Sequence, residues 1–143
     1  MNQFQTVTNE LVVNFQTGID IKDITEPLEK VIKESGIRTG SVNIFIPGST
    51  GSVTTIEYEP GVVSDLKRTV NTLAPPEMEY EHEKAWHDGN GHSHVQAALL
   101  GPSLTVPIRN SAPALGTWQQ VVAVNHDNRA RKREVLLTLQ GIS

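Results

Sequence analysis

An α+β fold, with sheets packed face to face and two helices covering one side, is the class this sequence predicts. Three observations carry it. Runs rich in threonine, valine, isoleucine and phenylalanine outnumber helical runs, and only two stretches repeat apolar residues at helical spacing between clear stops. The order is strands, helix, strands, helix, a long polar loop, then strands, which lacks the alternation of βαβ units. Two capped helical stripes argue against an all-β sandwich. The 143 residues suit a single domain over 1–143 with a real hydrophobic core.

The elements follow in chain order. Phe4 to Thr8 and Glu10 to Gln16 show partial period-two alternation, and Asn9 between them suggests the turn of an opening hairpin. DITEPLEKVIKESG places Asp23 and Glu26 at capping-box spacing and Ile24, Leu28, Val31 and Ile32 on one face, with Gly36 as the stop. SVNIFI, Ser41 to Ile46, reads as a strand that empties into the small-residue loop Pro47 to Ser52, followed by the strand-like VTTIEYE. Pro60-Gly61 opens a second helix carrying Val63, Leu66, Val70 and Leu73, closed by Ala74-Pro75-Pro76, with Asp65 on its solvated side. After the polar loop, VQAALLG suggests one or two helical turns and Leu104 to Arg109 a strand whose Pro107 marks an edge or bulge. GTWQQVVAVN and REVLLTLQ then suggest a long closing hairpin, with His126 exposed in its turn.

Composition excludes several function classes. A formal charge of −4 argues against a nucleic-acid backbone as the main partner. Without cysteine there is no disulfide framework and no thiolate chemistry, so a metal would need imidazole, carboxylate or carbonyl ligands. No run is long and apolar enough to cross a bilayer, and MNQFQTVTNELVV has no basic segment ahead of an apolar core, so a soluble cytoplasmic protein without membrane partners is the expectation. Hydrophobic content of 37% leaves room for a subunit interface to supply part of the apolar burial.

The chemistry concentrates in YEHEKAWHDGNGHSH, Tyr80 to His94, which holds four of the five histidines. If Gly91 to Val95 is extended, His92 and His94 point the same way, and Gly89 and Gly91 would let the chain fold back to bring in His82. Three neutral imidazoles and a water suit zinc or a similar divalent ion. General acid/base use and plain exposure are the alternatives, and His87 is a weaker candidate. The Pro47 to Ser52 loop offers backbone N–H groups that could cradle an anion, or it is a bend that needs small residues; it lacks the lysine of a P-loop. Arg129, Arg131 and Arg133 would share one face of an extended strand, ready for phosphate or carboxylate, or they form a charged hairpin end. Glu57 is either a base or a surface glutamate.

Five motifs in order, PGSTGSVTTIEYEPG, YEHEKAWHDGNGHSH, LLGPSLTVP, GTWQQ and DNRARKRE, span nearly the whole chain. Together they resemble the YjbQ family, also called the secondary thiamine-phosphate synthase family. The resemblance implies a YjbQ-like α+β fold with an antiparallel or mixed β-sandwich core and two main helices, assembled as a homotrimer. It also implies weak thiamine-phosphate synthase activity, a transferase reaction joining a pyrimidine pyrophosphate to a thiazole phosphate with loss of pyrophosphate. His82 and His94 match the shared histidines, as catalytic groups or metal ligands, and Glu57 matches the shared acid. Ser49, Thr50 and Ser52 match the hydroxyl-rich loop, Thr117, Trp118 and Gln119 the GTWQ motif, and Arg131 the late arginine; Asn90 joins the ligand-binding candidates from inside the loop motif. Many members carry histidine where this chain has Gly48, and His92 is expected to replace that imidazole in a His82, His92, His94 metal site. The expected cofactor is zinc, or magnesium with a phosphate substrate, and no organic cofactor; the expected partner is an anionic small molecule. A metal-dependent hydrolase of a small phosphorylated or amide metabolite and a non-enzymatic ligand-binding trimer are the alternatives.

Overall fold

Strands β1 (Phe4–Phe15) and β8 (Arg131–Ile142) pair antiparallel along their full length in the computed structural model, which describes residues 3–143. On its other edge β8 takes β3 (Thr39–Phe45), and β5 (Ser103–Arg109) and the two-residue β6 (Ala112–Pro113) complete a five-stranded antiparallel sheet in the order β1-β8-β3-β5-β6. A second antiparallel sheet has the order β2-β7-β4, from β2 (Asp20–Asp23), β7 (Gln120–Asn125) and β4 (Gly51–Ile56). Among the described residues four helices join them: α1 (Thr25–Ser35), α2 (Pro60–Leu73), α3 (Glu81–Trp86) and α4 (Gly91–Leu100). The expected α+β class is the observed one, with curled antiparallel sheets, but the two main helices do not cover one side: α1 packs with Val121 and Ala123 of β7 and α2 with Val122 and Val124 on its other face.

The main core is built from alternate residues of the large sheet, Val42, Ile44, Val106, Ile108, Val135, Leu137 and Leu139, against Leu28, Val31 and Ile32 of α1 and Val121 and Ala123 of β7. Fully burying a side chain such as Leu28 or Ile32 contributes about 1.5–3 kcal/mol. The intervening Val122 and Val124 face the other way, onto Ile21 and the half-buried Val63 and Leu66 of α2. Thus β7 is buried on both faces, which accounts for an unbroken VVAV run where a one-sided strand would alternate.

Both main helices end as the sequence indicates, with differences at their caps. Gly36 closes α1 at φ 77°. Asp23 accepts from the Thr25 N–H at 2.9 Å and from its hydroxyl at 2.6 Å, and no capping box with Glu26 forms. Glu59 caps α2 by accepting from the N–H groups of Gly61 and Val62, and Leu73 lies 66% exposed, outside the apolar stripe.

Three expectations give way. Asn9 makes no turn: it sits opposite Leu137 within one twelve-residue strand, because Val7, Leu11, Val13 and Phe15 keep one parity across it and β8 offers an equally long partner. The closing hairpin does not form either, since β7 and β8 lie in different sheets and the chain crosses between them through a buried corner at His126 and Asp127. The histidine-rich loop is helical at both ends, as α3 and α4. Its inward face carries Ser93, Gln96 and Ala97, a polar and small surface that hydrophobic periodicity does not register.

Candidate functional site

Helices α3 and α4 meet through a tight connection at residues 87–90. His87 and Gly89 adopt positive φ, 53° and 72°, and the Glu83 carboxylate accepts from the N–H groups of Gly89 at 2.8 Å and Gly91 at 2.9 Å. This brace aims Asp88 back at α3. Its Oδ1 lies 3.0 Å from His82 Nε2 and accepts from the Asn90 N–H at 3.0 Å. The bond from Asn90 holds the Asp88 carboxyl below its ordinary range, with His82 and His94 acting in the same direction against partial burial. One turn into α4, His94 places its ring 4.6 Å from that of His82.

One ligand atom each from His82, Asp88 and His94 lie within 4.8 Å of one another. Ligands at ~2.1 Å from a tetrahedral zinc stand roughly 3.4 Å apart, so a small closure would complete the geometry. Two imidazoles and one carboxylate suit zinc or ferrous iron, whereas magnesium prefers oxygen ligands throughout.

His92 does not join this group. Residues two apart on a helix point about 200° from each other, so the shared direction that an extended chain would give is lost. His92 instead lies beside Tyr80, ring centroids 6.5 Å apart, and burial lowers its pKa while Glu77, Glu83 and Asp127 oppose the shift. The third member of the cluster is Asp88, which the sequence shows only as the acid between His87 and a glycine turn.

His94 also forms part of the wall of a cavity of about 240 Å³, together with Gly48, Ser49, Gly51, Ala97, Ala98 and Pro102. The loop bearing Ser49 is held by Thr50, whose hydroxyl donates to Asp127 Oδ2 at 2.9 Å and accepts from Arg133 Nη2 at 2.6 Å. Asp127 is 2% exposed and anchors the surroundings: it also accepts from Arg131 Nη2 at 3.0 Å, the Arg129 N–H at 3.0 Å and Asn90 Nδ2 at 3.3 Å. Burial alone would raise its pKa, but these donors outweigh burial and lower it.

Several anticipated ligand-binding groups therefore serve the framework. Arg131 is committed to Asp127, and Asn90 also accepts from Ser93 at 2.8 Å and the Asn128 N–H at 3.0 Å. Ser52 is fully buried, its hydroxyl 2.7 Å from His126 Nε2, so it does not face the cavity. Glu57, Thr117 and Gln119 gather at the far end of β4 from Gly51, where Gln119 Nε2 donates to Thr55 at 3.2 Å.

His126 overturns the expectation of an exposed turn residue, being 1% exposed. Gln96 Nε2 donates to Asn71 Oδ1 and the Ala74 carbonyl, each at 3.0 Å, which leaves its Oε1 to accept from His126 Nδ1 at 3.0 Å. That fixes the tautomer, and Nε2 accepts from Ser52. Burial, then Arg133 and His92, push this imidazole down to about 4. The Ser52, His126, Gln96 chain ties α4, and with it His94, to β4. The sequence hint for it, a histidine and an aspartate after the apolar run VVAV and Asn125, looks the same as an ordinary polar turn.

The comparisons with known proteins agree with this architecture. The family described as UPF0047 protein YjbQ-like matches residues 9–142. A UPF0047 protein of Methanothermobacter thermautotrophicus is 33% identical over 137 residues, covering 96% of this chain and 94% of that protein. The crystal structure of a YbjQ-like protein of unknown function from Sulfolobus solfataricus superposes with a TM-score of 0.92 at 26% identity, covering 97% of this chain and 99% of that one. A YjbQ/UPF0047 protein from Clostridium acetobutylicum gives 0.83 at 30% identity, covering 92% and 98%. Motifs, fold and relatives converge, and the chain belongs to the YjbQ-like UPF0047 protein family.

Proposed function

We propose that this chain holds one divalent metal ion on His82, Asp88 and His94 and acts as an enzyme on a small phosphate-bearing molecule in the adjoining cavity. The observation that carries the reading is the meeting of two imidazoles and a carboxylate within 4.8 Å at the wall of a cavity, with His94 belonging to both. Three protein ligands leave coordination positions open, and a cation there would neutralise charge on a phosphate oxygen. His82 and His94 are then ligands rather than proton donors.

Size bears on the reaction class. About 240 Å³ is below the ~300–1,000 Å³ of sites for drug-sized ligands, so one small phosphorylated molecule fits better than two. This favours hydrolysis or rearrangement of a single substrate. The thiamine-phosphate synthase reaction implied by the family resemblance is the second reading. It needs room for two substrates, which a homotrimer with a site enlarged between copies would provide. Apolar side chains on the outer face of the large sheet support such an assembly: Phe45 and Leu136 are in register and each 39% exposed, with Phe4 at 68%. Light scattering that gave a monomer mass would remove it.

The test is turnover by zinc-loaded protein. Phosphate released from single phosphorylated metabolites, lost in His82→Ala, supports the first reading. Pyrophosphate released only when both thiamine precursors are present supports the second. Saturable binding of one metabolite without turnover by either assay would make the chain a binding protein instead.

A further inference from the structure

Arg133 presents an unanswered charge. Its Nε and Nη2 are spent on neutral acceptors, Asn125 Oδ1 at 3.3 and 2.8 Å and Thr50 Oγ1 at 2.6 Å. No carboxylate lies within 4.0 Å of it among the described residues; burial lowers its pKa, and Asp127, in contact with Arg131, opposes that shift only from longer range. His126 next to it is neutral at ordinary pH. A half-buried guanidinium with no carboxylate in direct contact can take an anion from outside.

The free edge of this guanidinium faces the small-residue loop. Nη1 makes no hydrogen bond among the described residues, and no fully buried polar side-chain atom there lacks a partner, so Nη1 is not fully buried. A Cβ on Gly48 would stand 2.9 Å from Nη1, and one on Gly51 would stand 3.4 Å from it. Glycine at both positions therefore keeps the guanidinium against the loop. The N–H groups of Gly48, Ser49 and Thr50 are likewise without hydrogen bonds among the described residues, and the loop forms part of the wall of the cavity that contains His94. Consecutive free N–H groups beside an arginine fork are the elements of an oxyanion receptor.

We infer that Arg133 and the Gly48 to Gly51 loop form the receptor for the phosphoryl group of the substrate, beside the metal-ligating histidines. Arg131, the arginine that the resemblance favoured, supports this receptor by neutralising Asp127. The inference rests on the cavity being the substrate site and deepens that reading by naming the residues that recognise the phosphate. A guanidinium held from behind by Asn125 and Thr50 needs no reordering to meet a planar pair of oxygens.

Inorganic pyrophosphate titrated calorimetrically into the full chain after chelator treatment tests the receptor without metal. The expected result is one saturable site per chain, weakened about ten- to a hundredfold in Arg133→Gln, the loss typical of a charge-assisted pair. Ser49→Asp, which adds a carboxylate to the cavity wall and leaves the Arg133 brace intact, should weaken binding comparably and carries the test if Arg133→Gln melts. Lys132→Gln, the same charge change on the neighbouring residue, should alter affinity less than about twofold if binding is more than general screening. No binding by wild type, equal binding by Arg133→Gln or Ser49→Asp, or equal affinity for malonate would overturn the inference. Zinc titration of the same samples separates the two readings, since a protein that takes up zinc but not pyrophosphate refutes the receptor alone, and one that takes up pyrophosphate but not zinc refutes the metal site alone.

Discussion

Between pH 7.5 and pH 5 the folded chain should lose stability through one buried imidazole. His126 is 1% exposed, its Nδ1–H is given to Gln96, and its Nε2 lone pair is taken by Ser52. A proton on Nε2 would turn the Ser52 hydroxyl from donor to acceptor and bury a positive charge near Arg133. The folded pKa lies at about 4, against about 6.5 in the unfolded chain. The unfolded state therefore takes up the proton first. Stability is complete above pH 6.5, falls as pH drops towards 4, and is level below that. A gap of about 2.5 pH units at about 1.4 kcal/mol each limits the loss to about 3.4 kcal/mol, of which about 2 is reached by pH 5. Urea unfolding of wild type and His126→Gln at fixed protein concentration reads this directly. The variant should be less stable at pH 7.5 by about 1–3 kcal/mol, and the difference should shrink by about 2 kcal/mol at pH 5. A difference that stays constant with pH, or a nitrogen NMR titration in which the residue 126 imidazole protonates near 6.5, would refute the buried chain.

Other perturbations have distinct signatures. Asp127→Asn removes a buried carboxylate that accepts from Thr50, Arg131, Asn90 and the Arg129 N–H, and should cost about 2–4 kcal/mol in urea unfolding, the half-exposed Arg131 adding little. Because its folded pKa is lowered, wild-type stability from this group is complete above about pH 4 and lost as pH falls further, and the variant should lack that portion of the acid limb. Gly40→Ala would drive a Cβ into the Gln140 carbonyl oxygen across the β3 and β8 pair; a cost of about 3 kcal/mol or more, or failure to fold, is expected, and a neutral substitution would contradict that pairing. Zinc at 100 times its Kd should stabilise wild type by about 2.7 kcal/mol and leave His94→Ala unchanged, as read by denaturation with and without chelator.

Much of this architecture is written locally. The stripe Leu28, Val31, Ile32 and the stop at Gly36 set α1, and Pro60 and Val63, Leu66 and Val70 set α2, because helix faces and caps depend on neighbours within a few residues. Partnership between strands is not local. β8 chooses β1 over β7 because its length and parity match twelve residues at the other end of the chain, a fact no window around Asn125 contains. At the site, His82 and His94 were legible as a histidine-rich segment, while Asp88 and the helical phase that separates His92 from His94 depend on a connection braced by Glu83. Arg131 and Arg133 do share a strand face as their spacing indicates. Only the position of Asp127 decides that Arg131 meets a carboxylate and Arg133 meets neutral acceptors.

The most direct measurement is zinc stoichiometry on purified, chelator-treated and zinc-reloaded protein, determined for wild type and for His82→Ala, Asp88→Ala, His94→Ala and His92→Ala. One zinc per chain in wild type and His92→Ala, with none retained by the other three, is the predicted result. Equal zinc in all five proteins, none in any, or loss in His92→Ala with retention in Asp88→Ala would contradict a centre built on His82, Asp88 and His94.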